Sequence, residues 1–271
     1  MKYCKTCVLP DTKPGVTFNE EGICSACIST SLKHQIDWDA RQEKLKTMCE
    51  EIKATNKGQY DCIVPVSGGK DSMFQLHTMK EKYKMNVLGV VVMAHLQTAE
   101  GIENLNSMVS NIGIDLIKIS PRHSTMKKIR KMAFIKIGNP NFAEHRVVFA
   151  AVARTALFYD VPLVVWGEDI GTEFGGNVHG TSLEGSAEDL IDNDLFREAS
   201  FDEFVEGTIP DSELFFYHQP DKDALKGRKI TGTNYYSGGQ FKKMLELNGN
   251  AIWEDIMPDE IYNLAAQSDV P

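Results

Sequence analysis

The spacing of apolar residues along the chain changes character several times, and each change predicts an element. Trp38, Leu45, Met48 and Ile52 stand three, four and seven apart, which predicts a helix over residues 37–56 with Asp37 able to cap it. At Asp61 the texture switches to a short continuous apolar run, Cys62-Ile63-Val64-Pro65-Val66, that ends in Ser67-Gly68-Gly69. This reads as a buried strand running into a tight loop. A helix is expected over 70–83, a second buried strand over 86–93, a helix over 98–112 and a third strand over 114–120. Helical patterns then cover 122–137 and 141–159, and a fourth strand over 161–166 ends in Gly167-Glu168-Asp169.

Strands that alternate with helices imply right-handed crossovers and a parallel sheet. Continuous apolar strands agree, because both faces of such a sheet are covered. The two ends of the chain differ from this middle. Residues 1–30 are turn-rich and punctuated by cysteine, too short to bury a core without a staple. Residues from about 180 onward are rich in Asp, Glu, Gly and Asn, with aromatic clusters at Phe215-Phe216-Tyr217 and Tyr235-Tyr236, and read as a mixed, mostly helical extension. The expected organisation is a cysteine module at 1–35, a helical linker at 36–58, an α/β domain at 59–180 and a C-terminal, substrate-side extension at 181–271.

Composition narrows the function classes. At 271 residues, 42% hydrophobic and 25% charged, the chain is ordinary for a globular protein. No apolar run reaches the length of a membrane helix, and Met1-Lys2-Tyr3-Cys4-Lys5 lacks the apolar stretch of a secretory signal, so a cytoplasmic location and no membrane partner are expected. The formal charge of −9 argues against a nucleic-acid partner, since there is no excess of Lys and Arg to neutralise phosphates. The basic run Lys127-Lys128-Ile129-Arg130-Lys131 reads as a solvated helix face.

Three segments carry candidate chemistry. The first is Val66-Ser67-Gly68-Gly69-Lys70-Asp71-Ser72, at a strand–helix junction. Adjacent glycines let the backbone approach an anion, and the first helical turn offers unpaired N–H groups at the positive end of its dipole. Lys70 adds a charge and Ser67 and Ser72 add hydroxyls. The spacing is not that of the common nucleotide-binding P-loop. The second is the pair Cys4-x2-Cys7 and Cys24-x2-Cys27, sixteen residues apart, which matches a four-thiolate zinc ribbon. The same ligands can also hold a 4Fe–4S cluster. Cys49 and Cys62 stand alone and read as buried or incidental. The third follows the fourth strand, where Gly167, Glu168, Asp169 and Glu173 reach the same sheet edge as the first segment; these carboxylates could hold Mg2+, accept a proton or bind an amine. Arg146, near the start of the helix over 141–159, could reach a phosphate or simply lie on a helix surface. His95 is a weaker candidate, and His179 and His218 read as lone histidines.

The string Ser-Gly-Gly-Lys-Asp-Ser resembles the signature of the PP-loop ATP pyrophosphatases. That resemblance implies an adenine-nucleotide hydrolase-like (PP-loop/HUP) fold and cleavage of ATP to AMP and pyrophosphate. Within it, Val66, Ser67, Gly68, Gly69, Lys70, Asp71, Ser72, Val92 and Gly167 would line the nucleotide, with the adenine near Val92-Met93. Lys70, Asp71, Glu168 and Glu173 would be catalytic, Lys70 by holding the phosphates and stabilising departing pyrophosphate. More of the chain is similar to one family: Cys-x2-Cys-Val-Leu-Pro-Asp-Thr, Pro-Gly-Val-Thr-Phe and Gly-Ile-Cys-Ser-x-Cys precede Val-Ser-Gly-Gly-Lys-Asp-Ser and Trp-Gly-Glu-x-x-x-Thr-Glu-Phe-Gly-Gly. Over residues 1–176 this resembles the N-acetyl sugar amidotransferases of bacterial surface-glycan pathways. The resemblance implies ATP, Mg2+ and structural Zn2+, an N-acetylated sugar converted to an acetamidino sugar in lipopolysaccharide, O-antigen or flagellin glycan synthesis, and ammonia from a glutaminase through a cyclase-like partner. No cysteine after Cys62 could serve as a glutaminase nucleophile in this chain. A tRNA-thiolating PP-loop enzyme is the second reading, disfavoured by the same lack of a late cysteine and by the charge; an ATP-binding zinc-ribbon scaffold without catalysis is the third.

Overall fold

The computed structural model describes residues 1–13, 16–32, 37–93, 97–166, 185–186, 201–226 and 229–231. Its centre is a six-stranded sheet in the order β3-β2-β1-β4-β6-β5, built from β1 (Cys62–Pro65), β2 (Val87–Val92), β3 (Asp115–Ile119), β4 (Leu163–Val165), β5 (Gly185–Ser186) and β6 (Lys229–Thr231). All neighbours pair in parallel except β5, which runs antiparallel to β6 at one edge. The helices are α1 (Ser25–Leu32), α2 (Trp38–Thr55), α3 (Lys70–His77), α4 (Ala99–Ser107), α5 (His123–Ile137), α6 (Phe142–Phe158), α7 (Phe201–Val205) and α8 (Lys222–Leu225). Each of α3 and α4 ends in a π-helical turn, Thr78–Lys82 and Met108–Ile112.

Period-two alternation sorts β1, β2 and β4 between two buried faces. Cys62 and Val64 of β1 and Val87 and Val91 of β2 pack with Leu45, Met48 and Ile52 of α2, Met73 and Leu76 of α3, and Leu105 of α4. Ile63, Leu88, Val90 and Val164 point the other way, onto Ala151, Val152 and Ala156 of α6. Helices on both faces of a parallel sheet make this a doubly wound α/β fold, the class that the sequence predicts. Asp37 caps α2 as expected, its carboxylate accepting the Ala40 N–H at 2.9 Å.

The structure adds two strands to the four expected. β6 contributes three residues beside β4, and β5 contributes two beside β6. Neither is long enough to show a periodicity in sequence, so a region read as mostly helical also supplies a sheet edge. Its described helical parts are short: α7, α8 and a 3-10 turn at Asp211–Glu213. They are held by their aromatic residues. Phe201, Phe204, Leu214 and Tyr217 pack onto Met126, Ile129 and Ala133 of α5 and Phe142 and Val147 of α6. No helix among the described residues is long and apolar enough to cross a membrane.

Candidate functional site

Strand order reverses at β1: β2 and β3 follow on one side, while β4 lies on the other. Open parallel sheets bind ligands in the crevice outside the carboxyl ends of their strands at such a switch point. The loop 67–69 leaves β1 there, and Gly69 is the N-cap of α3. Gly68 has φ +89°, a conformation for which glycine is suited. A Cβ added at Gly68 would stand 2.6 Å from the Gly101 carbonyl oxygen, so the loop lies directly against the first turn of α4.

Hydrogen bonds lock this turn. The Ser67 N–H donates to Ser72 Oγ at 3.4 Å, Ser72 Oγ donates to the Gly69 carbonyl at 3.0 Å, and the Gly69 N–H meets Ser67 Oγ at 3.3 Å. Asn104 of α4 donates from Nδ2 to the Gly68 carbonyl at 2.8 Å, in a buried contact. Gln75 of α3 donates from Nε2 to the carbonyl of Trp166, at the end of β4, at 2.6 Å. The loop is therefore tied to α4, and the helix it opens is tied to the end of β4. Gln75 Oε1, Asn104 Oδ1 and Trp166 Nε1 are buried without a hydrogen-bond partner among the described residues. A buried orphan of this kind costs about 1–3 kcal/mol.

Of the residues expected to meet a nucleotide, Val66, Ser67, Gly68, Gly69 and Ser72 lie together in this turn, with the backbone of Lys70 and Asp71 opening α3. Val66 continues the ladder, its N–H donating to the Val90 carbonyl at 2.8 Å. Val92 ends β2, the neighbouring strand. Gly167, Glu168 and Glu173, and with them Asp169, His95 and His179, lie outside the described residues.

Other candidates serve packing. Arg146 donates from Nε to the Tyr217 carbonyl at 2.8 Å and lies 4.8 Å from the Phe201 ring centroid, which commits it to anchoring the segment that carries α7. His218 sits between Asp202 and Asp211, at 3.0 and 2.9 Å. In the basic run, Ile129 is buried, Lys127, Lys128 and Lys131 are exposed, and Arg130 pairs with Glu144. Asn104, Gly101 and Gln75 were not among the residues the motif suggested. The available signal was a glycine followed three positions later by an asparagine on the apolar stripe that includes Leu105 and Met108.

The second cluster lies in the first thirty residues. The sulfurs of Cys4, Cys7, Cys24 and Cys27 all fall within 4.8 Å of one another, with Cys4–Cys27 at 3.9 Å and Cys7–Cys24 at 3.6 Å. Four thiolates around one tetrahedral zinc at about 2.3 Å stand about 3.8 Å apart, so the spacing fits a single ion. In a 4Fe–4S cluster the thiolates sit on four separate irons and stand farther apart. Burial pushes the Cys4 thiol up, but N–H donors from Cys7, Cys24 and Thr6 outweigh it and hold the pKa at about 6. Burial raises Cys24, and contact with Cys7 raises Cys27. Crowded thiols competing for protons in this way suit a set that one cation would deprotonate together. Cys49 of α2 and Cys62 of β1 are both buried in the core between that helix and the sheet, and burial pushes Cys49 up to about 12.

No family model matches the chain. An uncharacterised protein of Methanocaldococcus jannaschii is 36% identical over 118 residues, which is 42% of this chain and 41% of that relative's length. Among solved structures, the NMN synthetase of Francisella tularensis superposes with a TM-score of 0.39 at 12% identity, covering 50% of this chain and 56% of that one. The NH3-dependent NAD synthetase of Campylobacter jejuni superposes with a TM-score of 0.40 at 14% identity, covering 86% and 93%. Superpositions at this level do not speak to a shared activity.

Proposed function

We propose that this chain is an ATP-dependent amidotransferase that converts the N-acetyl group of a sugar into an acetamidino group, within lipopolysaccharide, O-antigen or flagellin glycan synthesis. The observation that carries this reading is the turn Ser67-Gly68-Gly69, which opens α3 at the switch point of a parallel sheet, with a glycine at φ +89° and the sequence Lys-Asp-Ser directly after it. Such a turn suits an anion at the helix N-terminus. The choice of an N-acetyl sugar rests on the family resemblance over residues 1–176.

The carbonyl oxygen of the acetamide attacks the α-phosphorus of ATP, and the bond to pyrophosphate breaks. Ammonia then adds to the activated carbon, AMP departs with the former carbonyl oxygen, and a proton is released. The first helical turn and Lys70 meet the charge that develops on the leaving pyrophosphate. Asp71, Glu168 and Glu173 are assigned to Mg2+ and to proton transfer. The four-cysteine module holds Zn2+ structurally, because four thiolates leave no open coordination position. Ammonia comes from a separate glutaminase through a cyclase-like partner.

The test is incubation of the purified protein with Mg-ATP, ammonium chloride and a panel of N-acetylated nucleotide sugars and nonulosonic acids. AMP formed only in the presence of a sugar, together with a product lighter by the difference between O and NH, is the expected result. Lys70→Ala should lower AMP formation by roughly 100-fold or more. AMP formation with unmodified tRNA and a sulfur donor, but with no sugar, would replace this reading by thiolation. Failure to form AMP with any substrate would leave a nucleotide-binding scaffold.

A further inference from the structure

We propose that Asn104 is a positioning residue for the phosphate loop, acting through the Gly68 peptide; the inference rests on the phosphate-binding role given to that loop above. The Gly68 carbonyl accepts from Asn104 Nδ2 at 2.8 Å, and Gly68 is pressed against the Gly101 carbonyl one turn earlier on the same helix. The Gly68–Gly69 peptide is thereby held on two sides by α4. A trans peptide points its C=O and N–H in opposite directions. Fixing the Gly68 carbonyl into α4 therefore turns the Gly69 N–H outward, to the side where it meets Ser67 Oγ at the long distance of 3.3 Å. An incoming phosphate oxygen can take that donor. Were the peptide to flip, a carbonyl would face the anion instead.

Structural need alone does not explain the residue. Asn104 is 4% exposed, on a helix face whose neighbours Leu105 and Met108 are fully buried, and its Oδ1 has no partner among the described residues. A leucine would fill the same space without an orphaned oxygen, and asparagine is a weaker helix former. What leucine lacks is the donor to Gly68. That donor reaches the loop from the helix that follows β2, so the loop after β1 and α4 are linked through one side chain.

The test compares the full-length protein with Asn104→Leu, which removes both the donor and the orphaned Oδ1, and Asn104→Ala, which removes the donor without added bulk. Binding of inorganic pyrophosphate and of Mg-ATP is measured by calorimetry, with thermal melting of each variant alongside. Asn104→Leu leaves the buried Gly68 carbonyl without its donor, so it should melt lower than wild type but still cooperatively, while binding pyrophosphate roughly fivefold to tenfold more weakly, the effect of one hydrogen bond. In turnover, KM for ATP should rise while KM for ammonia stays unchanged. Unchanged pyrophosphate affinity in either folded variant overturns the proposal. So does loss of affinity only in step with loss of cooperative melting in both variants, which would make Asn104 a purely structural residue. A wild-type protein that binds neither pyrophosphate nor ATP removes the phosphate reading itself, and that outcome is distinct from variants that bind as well as wild type.

Discussion

Two residues with positive φ show opposite uses of the same backbone region. Gly68 needs it, because a side chain there would both strain the backbone and collide with the Gly101 carbonyl at 2.6 Å. Gly68→Ala should therefore lower stability by about 2 kcal/mol and abolish pyrophosphate binding, read by melting and calorimetry. Val8 holds φ +58° directly after Cys7 although it is β-branched, and its side chain is 73% exposed. It bears strain without an evident packing return. Val8→Gly should remove strain of about 1–2 kcal/mol, partly offset by the greater freedom of glycine in the unfolded chain, and so make the cysteine module harder to strip with a chelator. The turn at Ser67-Gly68-Gly69 was legible at this scale because its residues are contiguous. Asn104 was not, because its role depends on a contact with Gly68, 36 positions earlier in the chain.

Elements were legible where burial repeats. Strands β1 to β3 and the helices from α2 to α6 follow their apolar patterns, and β4, only three residues long, was legible because it lies in the continuous apolar run at 161–166. β5 and β6, Gly-Ser and Lys-Ile-Thr, have no apolar run to mark them, and Arg146 was open in sequence because a cation near a helix start reads the same whether it faces a phosphate or, as its Nε does here, a backbone carbonyl. The cysteine module is the element least able to stand alone. Among the described residues, its β-bridges are two isolated pairs, Tyr3 with Pro10 and Phe18 with Cys24. On the zinc reading, a chelator should unfold residues 1–32 while the sheet remains folded, as seen by loss of protected amides in that segment alone. Labelling with a thiol reagent should then reach Cys4, Cys7, Cys24 and Cys27 but spare Cys49 and Cys62 until the sheet itself unfolds, since burial keeps those two thiols both inaccessible and protonated.

At the scale of the whole molecule, the sequence predicts the class of fold, because alternating strands and helices admit few arrangements. It does not predict which strand stands beside β1 on the far side, since strand order depends on how crossovers turn and not on any local pattern. The answer is β4, with Ile63 paired to Val164. The pairings of β1 with β2 and of β2 with β3 join strands that are close in sequence, whereas this one closes a loop of about a hundred residues and bears the larger entropic cost. During synthesis, the ribosome will therefore release a chain whose first three strands can assemble well before the fourth is available. The crevice at the switch point has only one wall until β4 docks. Nucleotide affinity in a refolding experiment should thus be acquired with the slowest kinetic phase, making ATP a reporter of the last step of folding.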